Sequence, residues 1–286
     1  MVMRAHNRAQ SLLLAPVVYC LLGLASMALA ADKLGSYAID QKAISASGVS
    51  SGGFMAQQFH VAHSAEIMGA GIVAAGPYNC ANSKPGWPAI CAAMDVCSHT
   101  AASFVPFMGP PNPQHSIRAT QRAARQHKID PPSGLRHDKV FLFSGMKDSE
   151  VPQSVMTSLE EYYSHFIQAW NILYVTDVPA ENEVGHLFVP ADCQRAGGCR
   201  LHIAFHGCKQ DQEEIGDAYY QHAGYNKWAA TNKIIVLYPQ TTASAFNPMN
   251  PKACWDWWGY TGKDFYLKTA KQTMVVQNMI NRLAAK

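Results

Sequence analysis

Charge is scarce in this chain of 286 residues: 15% of its side chains are Asp, Glu, Lys or Arg, against 48% hydrophobic. So little charge, nearly balanced in sign, gives no reason to expect nucleic acid or an acidic polymer as partner. Long apolar runs are scarcer still. One extends from Leu12 to Met27, preceded by Arg4 and Arg8 and followed by Ala28-Leu29-Ala30, a small-x-small cleavage pattern before Ala31. Residues 1–30 therefore read as a secretory signal peptide, and residues 31–286 as a single folded domain. The run is short, Pro16 interrupts it, and Tyr19 before Cys20 spoils a lipoprotein box. No second stretch could span a bilayer, so no membrane anchor is expected after cleavage. Losing two arginines leaves the mature chain 21 basic side chains against 20 acidic. The cysteines lack metal-site spacing. Cys80, Cys91, Cys97, Cys193, Cys199, Cys208 and Cys254 form no C-x-x-C, and no histidine pair sits at zinc-finger spacing. In the oxidising compartment implied by export they favour disulfides, with an odd thiol over. No metal and no other cofactor is expected.

What the chain does contain is Gly48-Val49-Ser50-Ser51-Gly52-Gly53, between a β-prone run and a helical pattern opening at Phe54. A serine in G-x-S-x-G on a strand-to-helix turn is a nucleophile elbow. The turn is so tight that only glycine fits on either side of it. The helix start behind it offers free N–H groups to a developing oxyanion. The bland alternative is an inert turn of small residues.

In chain order, a first strand is expected at Tyr37–Ile39, then the elbow strand. A helix to about Ser64, a buried strand Met68–Ala75 and a Pro-, Asn- and Cys-rich loop over residues 78–114 follow. A basic helix His115–Gln126 and a strand Val140–Phe143 come next. After that strand, Asp148 stands in a glycine-containing loop, where an α/β-hydrolase carries the triad acid; its ordinary alternative is an N-cap for the helical pattern Pro152–Ile167. A strand Asn171–Val178 precedes Gly185-His186, and Asp177 is the rival acid. The order Ser50, Asp148, His186 is the α/β-hydrolase order. His60, His63, His99, His115, His127 and His137 read as structural or exposed. Beyond His186, the strand Leu201–Phe205 runs into His206-Gly207-Cys208, an oxyanion-loop pattern that ordinarily lies upstream of the nucleophile. A helix Ile215–Thr231, a strand Ile234–Pro239 and a last helix Phe265–Ala285 complete the chain. The simplest account is circular permutation. The expected architecture is a single-domain, permuted α/β-hydrolase fold: a mostly parallel sheet with helices on both faces. His206 is a rival base, rejected because its own strand and glycine give it the oxyanion-loop role.

These residues resemble the secreted poly(3-hydroxybutyrate) depolymerases with a circularly permuted α/β-hydrolase domain. The matching stretches are Gly48–Ala56, Ala75–Ala81, Phe143–Asp148, Gly185-His186, His206–Cys208 and Cys254–Trp258. The last two also occur in related feruloyl and carbohydrate esterases. The resemblance implies Ser50 as nucleophile, His186 as base, Asp148 as its orienter, and the N–H groups of Ser51 and Cys208 as oxyanion hole. It implies a secreted serine esterase acting on a polyester or its oligomers, here expected to be monomeric. Many such enzymes append a polymer-binding module that this sequence does not show. Clustered aromatics are core as often as surface, yet Trp255, Trp257 and Trp258, with Tyr78, would suit an uncharged polyester if they lined the site. A Cys208–Cys254 disulfide would tie the oxyanion loop to the aromatic segment. Cys193–Cys199 would then close a small loop, leaving the odd thiol in the 80–97 region. The alternatives are a feruloyl or acetylxylan esterase and a non-catalytic polymer-binding protein on the same fold.

Overall fold

The computed structural model describes residues 35–99, 108–146, 148–176, 190, 192–193 and 198–285. Six strands form one sheet: β1 (Ile44–Val49), β2 (Ile67–Val73), β3 (Lys139–Phe143), β4 (Ile172–Val175), β5 (Arg200–Phe205) and β6 (Ile234–Leu237). Their spatial order is β4-β3-β2-β1-β5-β6, and every pairing is parallel. The elbow strand β1 sits centrally, with β5 beside it in register Gly48↔Phe205. The last two strands in the chain thus extend the sheet on the side of β1 away from β2, as permutation requires. The expected strand at Tyr37–Ile39 does not form. Tyr37 instead donates its N–H to the Leu283 carbonyl at 2.8 Å, and Ala38 and Asp40 bond to Gly198 and Cys199 just ahead of β5 without extending the ladder into a strand.

Helix α1 (Ser51–Ala62) is buried along all twelve residues, which the sequence of small and apolar side chains permits. Helix α2 (Pro113–Arg125) is amphipathic: Ile117, Thr120 and Ala123 point inward and the arginines outward. Its start is defined by Pro113 at the first turn and by Asn112, whose side chain accepts the Gln114 N–H at 2.9 Å. Helix α3 (Gln153–Ser164) buries Val155, Met156, Leu159, Tyr162 and Tyr163. The expected single helix over Ile215–Thr231 is broken into Gln212–Ile215, Ala218–His222 and α4 (Tyr225–Asn232). The breaks fall at Gly216 and Gly224, both at positive φ, a conformation no continuing helix can hold. Helix α5 (Lys271–Ala284) begins later than expected, and buries Thr273, Val276, Ile280 and Leu283 at helical spacing.

Alternation along the strands divides the sheet into two unlike faces. On one, Ile44, Ala46, Ile203 and Ile235 pack with Met55, Phe59 and Ile280. The same face continues as Ile72, Val140 and Leu142 with Phe54, Val155 and Leu159. On the other face, Ala204 and Val236 are covered by Tyr219 and Ala229 from the broken helical stretch. Toward β4 this second face is open among the described residues: Phe141 is 41% and Leu173 59% exposed.

Candidate active site

Ser50 leaves β1 with φ 79° and ψ −114°, a strained left-sided backbone for a residue with a side chain. Two hydrogen bonds hold it there: its N–H donates to Val73 O at 3.0 Å, and its carbonyl accepts the Phe54 N–H at 2.9 Å. The glycines explain how the turn closes. A Cβ on Gly48 would lie 2.1 Å from Gly52 O, and one on Gly52 would lie 2.2 Å from Phe205 O. Backbone therefore touches backbone where β1, α1 and the end of β5 converge. Ser50 is half-buried at that junction.

The loop after β5 is held by its own network. His206 is fully buried; its Nδ1–H donates to Gly207 O at 2.7 Å, and its Nε2 accepts the Thr241 N–H at 3.1 Å. Burial lowers its pKa, so the ring stays neutral, with both nitrogens spent. A ring so engaged has no nitrogen left to take a proton from serine. The Gly207 N–H is consumed by Gln210 Oε1 at 2.7 Å. The N–H groups of Ser51 and Cys208 have no acceptor among the described residues. Thr241 and Gln210, which brace this loop, carry no motif. Only the folded loop reveals them.

Asp148 Oδ1 accepts the N–H groups of Glu150 and Val151 at 3.0 and 2.8 Å, and the Asp148 N–H donates to Gly145 O at 3.2 Å. One carboxylate oxygen thus fixes the loop after β3, at the same carboxyl end of the sheet as Ser50. His186 and Asp177 lie outside the described residues.

Of the two readings of the aromatic segment, core and binding surface, burial favours core for Trp255, Trp257 and Tyr78, which does not fit their candidate role as substrate-binding residues. Trp255 is 2% and Trp257 9% exposed. Trp255 packs against Phe205 and His206, with ring centroids 5.0 and 5.5 Å away, and its backbone N–H donates to Ser51 Oγ at 3.3 Å. Trp257 stacks on Phe54 at 4.0 Å. Tyr78 is fully buried, its hydroxyl donating to Tyr266 O at 2.7 Å. The Trp255 and Trp257 rings thus pack against helix α1 and the end of β5. Trp258 alone of the four keeps an exposed part. Asp256, between the tryptophans, organises the turn by accepting the N–H groups of Gly259, Tyr260 and Thr261 at 2.7, 3.0 and 2.8 Å.

Disulfides join Cys208 to Cys254, Cys193 to Cys199, and Cys80 to Cys97, with Cys91 free. The first ties the loop after β5 to the aromatic segment. Among the described residues no cluster of His, Cys, Asp or Glu could hold a metal ion, and no helix is long and apolar enough to cross a membrane.

A strained serine on a strand-to-helix turn, at the centre of a parallel sheet, defines the α/β-hydrolase class of fold. No family model matches the chain. It is 32% identical to a poly(3-hydroxybutyrate) depolymerase of Delftia acidovorans, over 90% of this chain and 62% of that protein. It is 26% identical to a polyhydroxybutyrate depolymerase of Talaromyces funiculosus, over 85% and 90% of the two chains. The fold matches the crystal structure of PHB depolymerase from Penicillium funiculosum with a TM-score of 0.71 at 23% identity, over 88% of this chain and 98% of that one. It also matches a PHB depolymerase serine-to-alanine variant complexed with an R3HB trimer, with a TM-score of 0.72 at 24% identity and the same coverage. The chain is thus similar to poly(3-hydroxybutyrate) depolymerases over most of its own length, and it spans about three fifths of the length of its Delftia relative.

Proposed function

We propose that this chain is an exported serine esterase that hydrolyses poly(3-hydroxybutyrate) or related short-chain polyesters and their oligomers. The observation that carries the reading is Ser50: a non-glycine residue held at positive φ where glycines let three backbone segments touch. Strain of about 1–3 kcal/mol persists only where the surroundings impose it, and such sites are commonly functional.

In this mechanism Ser50 Oγ attacks the ester carbonyl while His186 takes its proton. Asp148, its Oδ1 anchored by two N–H groups, offers Oδ2 to the imidazole and holds it in the productive tautomer. The oxyanion forms between the N–H groups of Ser51 and Cys208, which are free of other acceptors among the described residues. His186 then protonates the departing alcohol. A 3-hydroxyacyl ester on Ser50 is left, and water deprotonated by His186 cleaves it. The leader and the three disulfides support export.

The decisive experiment is product analysis on poly(3-hydroxybutyrate) beside feruloylated and acetylated xylan, with Ser50→Ala as control. Release of 3-hydroxybutyrate units by the parent alone is the expected result. Release of ferulate or acetate instead would move the chain to the carbohydrate esterases. Absence of fluorophosphonate labelling would make it a binding protein.

A further inference from the structure

Parallel sheets are ordinarily covered on both faces, yet among the described residues the face of this sheet opposite α1 carries an open trough of about 810 Å³. Its floor follows the strand register. Ser47, Gly71, Phe141 and Leu173 lie side by side across β1, β2, β3 and β4. Gly71 brings no side chain, so the trough deepens there between a polar wall and an apolar one. The apolar wall has Phe141 and Leu173, 41% and 59% exposed, with Met68 at 46%. Side chains of this size, contiguous and exposed, mark a binding surface.

The polar wall is a chain of four groups. His202 Nδ1 meets Ser45 Oγ at 2.8 Å, His202 Nε2 meets Ser47 Oγ at 2.8 Å, and Ser47 Oγ meets the Tyr225 hydroxyl at 2.7 Å. Burial holds the His202 pKa down at about 4, so the ring is neutral and carries one N–H. The four groups then have four protons for three hydrogen bonds. A neutral imidazole cannot accept at both nitrogens, so the unspent proton lies on Ser45, Ser47 or Tyr225. All three line the trough. A hydrogen-bond donor is therefore left over, whichever way the chain is oriented.

Charge narrows the occupant. Among the described residues no acidic side chain lines the trough, and two cations lie at its lower rim: Lys139 bonded to Asn171 Oδ1, and Arg200 donating to Asn232 O at 2.8 Å. The ligand that fits accepts hydrogen bonds without donating them, bears no charge and is otherwise apolar. A linear aliphatic polyester has that chemistry at every repeat. The trough also has the right shape, open along the whole of β1, about 20 Å at strand rise. Its upper end reaches Val49, next to Ser50. We infer that this sheet face binds a segment of the insoluble polyester chain, apart from the catalytic elbow. This inference rests on the proposed polyesterase function.

The test uses Ser50→Ala protein, which adsorbs without degrading the polymer, on poly(3-hydroxybutyrate) film. Phe141→Glu and Leu173→Glu in that background are expected to weaken adsorption at least tenfold with the melting temperature kept. With Ser50 restored, the ratio of film hydrolysis to soluble-trimer hydrolysis should fall likewise. Adsorption equal to the parent's would overturn the inference. So would a parent that is dimeric and becomes monomeric in the Glu variants, since the face would then be an interface between copies. If the Glu variants fail to fold, Phe141→Ala with Leu173→Ala removes the same apolar wall without adding charge, and adsorption is scored on it. Failure of the esterase reading is distinguishable: Ser50-containing protein would then cleave no hydroxybutyrate ester, whatever the adsorption.

Discussion

A methyl group on Gly52 would stand 2.2 Å from Phe205 O and 2.3 Å from His206 O, where only backbone could yield. Gly52→Ala should therefore push the elbow away from the oxyanion loop. Because displacements near 1 Å at a reacting centre cost about 100-fold, turnover should fall by at least that much. Overpacking should also cost about 1–3 kcal/mol of stability. Fluorophosphonate labelling rates and thermal melts would check both parts. A second residue governs pH behaviour. His63 is buried, with neither ring nitrogen hydrogen-bonded. Burial first, and Lys268 second, lower its pKa from 6.5 to about 4, against the opposing pull of Asp130. The unfolded chain then binds the extra proton between those two values, so stability rises with pH across that window. It is complete above about 6.5 and lost as pH falls toward 4, by up to ~3 kcal/mol. His63→Gln should flatten the acid limb of a melting-temperature profile. An unchanged slope would place the effect on His202 or His206.

At the scale of elements, the Cys208–Cys254 bridge closes a separation of 46 residues, worth about 4 kcal/mol in the chain-entropy model. The separation of 6 at Cys193–Cys199 is worth about 2 kcal/mol in the same model. Cys254→Ser should lower both melting temperature and turnover, because it frees the loop bearing the Cys208 N–H. Cys208→Ser should behave alike, and the double variant no worse than either. Cys193→Ser should cost less stability and leave turnover nearly intact, as measured by melts and soluble-ester kinetics. The strands, α1 and both of these pairings were legible in the sequence because each leaves a local mark: an apolar run, a glycine-flanked turn, a cysteine beside a recognisable loop. The aromatic segment was not. Trp255 and Trp257 sit in loop-forming sequence that suggests exposure, and what buries them is Phe205 and His206 for the one and Phe54 for the other. Those partners are roughly 50 and 200 residues away along the chain, beyond the reach of periodicity. The broken helix over 212–232 was missed for a nearer reason. Gly216 and Gly224 were both visible, but single glycines are tolerated in many helices, and only their positive φ decides the matter.

For the whole molecule, the place of β5 beside β1 was legible in advance, since a His-Gly pattern at the end of a strand so late in the chain points to permutation. The open sheet face was not, because alternation tells which residues share a face and not whether anything covers it. Permutation itself can be tested by undoing it. The segment at Tyr37 meets the end of α5 through its bond to Leu283, and Gly198 and Cys199 run beside Ala38 and Asp40 through bonds of 2.9 Å each. The segment at Tyr37, the end of α5 and the start of β5 therefore meet at one site. Joining Ala285 to Ser36 by about six Gly and Ser residues closes only a short gap, and loop-closure entropy grows slowly with length. Parting the chain between Ala196 and Gly197 would then put β5 and β6 first and β1 third. The Cys193–Cys199 disulfide would link the two new ends. Such a protein should be soluble, melt within a few degrees of the parent and cleave the same soluble esters at a rate within a fewfold, because every sheet pairing and the elbow contacts of Gly48 and Gly52 are kept. An insoluble product would mean that the present order of strands is needed for folding and not merely inherited. A folded but inactive one would place part of the catalytic geometry in the 190–199 crossover itself.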